Sequence, residues 1–108
     1  MVILNEEYVQ FIQSYVKHLE DDVRGTSDWT HLGKVMEELG EAAEALIISY
    51  KMNPRKREEA DDFDVAMEYG DVIMSALVAI AALGININDL LGQQLEKTRS
   101  RVWWDASS

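Results

Sequence analysis

Residues 63–83 read FDVAMEYGDVIMSALVAIAAL. From Val65 as far as Asn88 the only charged residues are Glu68 and Asp71. The spacing predicts a helix with Met67, Ile73, Met74, Leu77, Ile80 and Ala81 on one side and Val72, Val78 and Ala79 on the other. A helix that is apolar all round is normally a buried one. Two apolar sides need two partners: the chain's own core and, for the other side, a symmetry mate. Glu68 and Asp71 are three residues apart and share a face. Carboxylates on a covered helix have to be paired, protonated or bound to a cation. Pairing with Lys34 or with an arginine near the C-terminus is the ordinary solution.

The stretch 31–51 reads as a second helix. Leu32, Val35, Met36, Leu39, Ala43, Leu46, Ile47 and Tyr50 form its expected core face, and Glu37, Glu41 and Glu44 fall opposite, with Glu38 at the flank. A solvated acidic face is the ordinary explanation. Ile48 interrupts that face, which suggests a covering surface such as a second subunit. Glu38 and Glu41 also stand three apart, so two facing helices would bring Glu38, Glu41, Glu68 and Asp71 into one small volume. Such an all-oxygen cluster suits a hard divalent cation.

The 108 residues fit one domain, with a core over about 4–102 and a tail at 103–108. An apolar content of 47% with a single proline, Pro54, favours an all-α, four-helix bundle-like protomer. The net charge of −10 argues against binding a nucleic-acid polymer, which relies on Lys and Arg. A nucleotide remains compatible, because metal ions bridge carboxylates to phosphates. There is no cysteine, which excludes disulfides and thiol nucleophiles. No signal peptide is apparent. The run Val72–Ile85 is too short and too rich in alanine to read as a membrane span. A cytoplasmic protein is the expectation.

In chain order, the first helix should open near Asn5 and run to about Arg24, where Gly25 stops it. Leu4, Tyr8, Phe11, Ile12, Tyr15, Val16, Leu19 and Val23 give it one wide stripe, and His18 should be a surface residue. Asp28 or Thr30 is the expected cap of the second helix. Trp29 either plugs the end of the core or forms a wall against which a base stacks. Pro54 ends the second helix, and the charged run 55–59 should be solvated. Gly84 ends the third helix, and Asn86 with Asp89 caps a fourth that runs to about Val102. Lys97, Arg99 and Arg101 suit its C-terminal dipole. Trp103 and Trp104 should pack on the bundle or on a neighbour.

The pattern E-E-x-x-E over Glu37–Glu41, followed by E-x-x-D over Glu68–Asp71, resembles the signature of the MazG-like nucleoside triphosphate pyrophosphohydrolases of the all-α NTP pyrophosphatase superfamily. The resemblance covers about Trp29 to Val102 and is most specific at 39–45 and 68–72. It implies Mg²⁺-dependent (or Mn²⁺-dependent) hydrolysis of a nucleoside triphosphate to the monophosphate and pyrophosphate, in a nucleotide-pool house-cleaning role. It further implies Glu38, Glu41, Glu68 and Asp71 as metal ligands, with Glu37 and Glu41 as the catalytic carboxylates that orient or deprotonate water. Lys34, Lys97 and Arg101 match lysine and arginine positions suited to phosphate. Thr98 stands where the family usually has asparagine. His31 lies about 10 Å along the helix axis from Glu38, at 1.5 Å per residue, a span that suits a base or sugar contact. The alternatives are a catalytically inactive helical interaction module of this fold, a phosphoribosyl-ATP pyrophosphohydrolase, and a partner-binding antitoxin-like protein. A homodimer or homotetramer is expected, because the third helix has more apolar surface than one bundle covers.

Overall fold

The computed structural model describes residues 3–22, 27–50, 61–102 and 104. Among these the protein is all-helical: α1 (Glu6–Asp22), α2 (Asp28–Ser49), α3 (Asp62–Ala82) and α4 (Ile87–Arg99). The expectations placed on Val23, Arg24, Gly25, the segment 51–60 with Pro54, Trp103 and the tail 105–108 fall outside the described residues.

Local chemistry sets the helix ends. Asn5 Oδ1 accepts the Tyr8 amide at 2.9 Å and opens α1. The cap of α2 is Ser27 rather than Asp28 or Thr30: its backbone is extended and its hydroxyl accepts the Thr30 amide. The helix therefore starts three residues before His31. At the head of α3, Asp61 and Asp64 form a reciprocal capping box, each carboxylate accepting the other's amide, at 2.8 and 3.0 Å. Gly84, with φ +77°, adopts the left-handed conformation that closes α3. Asn86 accepts the Asp89 amide at the start of α4, which ends at Arg99, three residues short of the expected Val102.

The largest interface is the one between α2 and α3; α1 rests on α3, and α4 touches α3 more lightly. Ile12 and Val16 of α1, Leu77 and Val78 of α3 and Ile87 of α4 form the core, flanked by Tyr8, Leu19, Met74 and Leu91. Asn88 fastens the N-terminal segment to α4. Its Oδ1 accepts the amides of Ile3 and Leu4 at 2.9 and 2.8 Å, and its Nδ2 donates to the Leu4 carbonyl at 3.2 Å.

The inward face of α2 differs from the expected one. Leu32, Met36, Leu39, Leu46, Ile47 and Tyr50 are exposed. Ile48 is half-covered, and the other covered or half-covered positions are His31, Val35, Glu38, Ala42, Ala45 and Ser49. These recur in steps of four and three, the spacing of a narrow helix–helix seam. Two small residues, Ala42 and Ala45, stand among these positions. The bulky stripe of α2 is left facing outward. Phe63, Met67 and Ile73 of α3 are exposed as well.

The molecule measures 47 × 45 × 24 Å with a radius of gyration of 16.9 Å. A compact chain of this length has a radius near 13 Å. The protomer is thus flat and open. By length and composition, α3 could cross a membrane, although Glu68 and Asp71 lie near its middle.

Candidate metal centre

The seam between α2 and α3 places acidic groups where its apolar neighbours thin out. One carboxylate oxygen from each of Glu38, Glu41 and Glu68 lies within 4.8 Å of the others. Glu38 and Glu68 are half-buried because they stand on the seam, while Glu41, one turn beyond Glu38, is exposed. Two of the cluster's oxygens, Glu38 Oε2 and Glu68 Oε2, are buried without a hydrogen-bond partner. A buried carboxylate oxygen with no donor is costly. A cation held among the three carboxylates would offset that cost, and the all-carboxylate donor set suits Mg²⁺ or Mn²⁺.

The electrostatics follow from this crowding. The neighbouring Glu38 charge pushes the Glu41 carboxyl above its ordinary range, with smaller contributions from Glu37 and Glu68. Lys34 answers part of the negative charge, its Nζ lying 3.1 Å from Glu38 and 3.4 Å from Glu37. The hydrogen bond to Glu38, then the Glu37 charge, raise the Lys34 ammonium above its usual value. Lys34 therefore pairs with the first acidic cluster, not with Glu68 and Asp71.

Asp71 is exposed and lies outside the tight trio. It stands one turn along α3 from Glu68 and, with Glu38, lines a cavity of about 500 Å³. This cavity is a trough over α3, bounded on one side by Phe11, Tyr15 and Leu19 of α1 and on the other by Thr30, His31 and Lys34 of α2. Met74, Ser75 and Val78 form its floor. It exists because α1 and α2 both lean on α3 without packing along one another.

The remaining expected site residues divide. His31 is buried, at 7% exposure, and faces the trough. Glu37 is exposed and tied to Lys34. Trp29 is 78% exposed, so it does not plug the core, and it is not among the trough's walls. Lys97 and Arg101 are exposed on and just beyond the last turn of α4 and do not reach the trough. Trp104 is exposed. Sequence reasoning missed Phe11, Tyr15, Met74 and Ser75. The available signal was the width of the α1 stripe: Phe11 and Tyr15, four apart at its edge, are more aromatic surface than one neighbouring helix covers.

No protein family, curated protein or solved structure compared with this chain matches it.

Proposed function

We propose that this protein is a divalent-metal-dependent nucleoside triphosphate pyrophosphohydrolase that releases pyrophosphate and a nucleoside monophosphate. The observation that carries this reading is the convergence of Glu38, Glu41 and Glu68, with two buried carboxylate oxygens that have no donor. With Asp71 nearby, this set would hold Mg²⁺. The bound ion neutralises phosphate oxygens and makes its water more acidic. Glu41, on the exposed side of the cluster, would be the carboxylate that takes a proton from the attacking water. Glu37 and Glu38 hold Lys34 at the trough's edge, where its ammonium can meet a phosphate oxygen.

The acting unit in this proposal is a homodimer or homotetramer, supported by the outward apolar stripe of α2, the exposed Phe63, Met67 and Ile73, and the open shape. In such an assembly Lys97 and Arg101 would reach the phosphates from a second copy. Cytoplasmic residence fits this arrangement. A membrane would place Asp71, near the middle of α3, in hydrocarbon, where a carboxylate is expensive. A second reading is an inactive helical interaction module, favoured by the same exposed apolar stripe.

The deciding experiment is pyrophosphate release from a panel of nucleoside triphosphates with Mg²⁺. Glu68→Ala and Asp71→Ala should each abolish it while leaving the helical content intact. Wild-type protein that binds neither metal nor triphosphate would favour the interaction module.

A further inference from the structure

We infer that the trough between α1 and α2 binds the nucleobase, with the aromatic wall supplied by Phe11 and Tyr15 of α1. This rests on reading the acidic cluster as the triphosphate site. Glu38 belongs both to the acidic trio and to the trough, and Asp71 lines the trough one turn from Glu68. Phosphates held at the carboxylates therefore direct the rest of the nucleotide into the trough. The volume of about 500 Å³ lies within the range of about 300–1,000 Å³ of small-molecule sites.

The chemistry of the walls selects a flat heteroaromatic ring. Phe11 and Tyr15 are stacked, with centroids 6.2 Å apart and planes at 17°. They remain 59% and 43% exposed, so nothing in the described protomer covers them. Met74 and Val78 provide an apolar floor. Among these apolar walls stand two deeply buried polar groups, His31 at 7% and Ser75 at 8% exposure. The His31 imidazole has no hydrogen-bond partner among the described residues. The Ser75 hydroxyl donates to the Val72 carbonyl at 2.9 Å, which leaves its lone pairs to accept. An acyl chain or an apolar peptide side chain would leave both groups unsatisfied, at a cost. A nucleobase offers π-faces to the rings and donors and acceptors at its edge.

The test uses two surface-tolerant variants, Phe11→Ala and Tyr15→Ala, with Ser75→Ala as a third. With Mg²⁺, KM for the preferred triphosphate should rise about 5- to 150-fold in the aromatic variants, the range that one stacked base spans. The inhibition constant of inorganic triphosphate, which has no base, should stay unchanged. Ser75→Ala should alter the ranking of bases with little effect on inorganic triphosphate. An unchanged KM in both aromatic variants would overturn the inference. So would a change in sedimentation on Phe11→Ala without a change in KM, since the trough would then be occupied by a second copy. Nucleoside binding without metal, followed by NMR, separates this inference from the function it rests on. If no hydrolysis and no metal-dependent triphosphate binding is found, nucleoside binding that is lost in Tyr15→Ala still supports the pocket. Absence of binding by every nucleoside overturns it.

Discussion

Replacing Glu68 by Gln should stabilise the metal-free protein and destabilise the metal-loaded one. Oxygens of Glu38 and Glu68 lie within 4.8 Å of one another. Two unit charges at that separation repel by about 0.9 kcal/mol in water and by about 3.5 kcal/mol at an effective dielectric constant near 20. Both residues are half-buried, which places the pair between these limits, and Lys34 offsets part of the repulsion. A net gain of about 1 kcal/mol is expected, a rise in Tm of about 4–8 °C for a domain of this size. With Mg²⁺ or Mn²⁺ at about 100 times its Kd, the wild type gains about 2.7 kcal/mol, a gain the variant should largely lack. Thermal melts of both proteins with chelator and with metal measure the crossing. A variant less stable than wild type in chelator, with wild-type Tm insensitive to either metal, would refute the reasoning.

Met36→Glu and Ile73→Glu, at positions exposed in the protomer, should leave helicity intact and shift sedimentation from an oligomer to a monomer; a wild type that sediments as a monomer at micromolar concentration would disprove the assembly. Asn88→Ala removes the acceptor for two backbone amides and should cost about 1–2 kcal/mol in denaturant melts, whereas an unchanged midpoint would mean that solvent replaces the clamp without loss. Glu41 gives a pH signature. Its carboxyl binds a proton more tightly in the folded protein than in the unfolded chain, so its contribution is favourable at low pH and is lost as pH rises from the ordinary value near 4.5 through the raised one. Metal-free wild type should therefore lose Tm relative to Glu41→Gln across that window, and parallel pH profiles would rule this out.

The helical class was legible because the chain punctuates itself: Asn5, Gly84 and Asn86 act where their chemistry predicts. The orientation of α2 was not. Its apolar stripe is the strongest periodic signal in that segment, yet His31, Glu38 and Ala42 turn toward α3. Periodicity identifies an apolar face but not which surface covers it. The spacing of Glu38, Glu41 and Glu68 survived this rotation, since residues three apart stay together whichever way the helix turns. The trough was not legible because it is a gap between α1 and α2, and no pattern within either helix encodes a gap.

The clamp at Asn88 joins segments 84 residues apart in sequence. The α2–α3 pair has the most extensive contact, whereas the N-terminal segment meets the start of α4 across most of the chain. Such long-range closure is entropically expensive and tends to form late. α1 and α4 each contact α3 far less than α2 does, so local opening should release this side of the protein before the α2–α3 pair. The trough therefore lies beside one of the protein's lighter internal contacts, that of α1 with α3. A molecule lodged between α1 and α2 would act as a tether, slowing amide exchange throughout α1, and loosening Asn88 would open the trough from its far end.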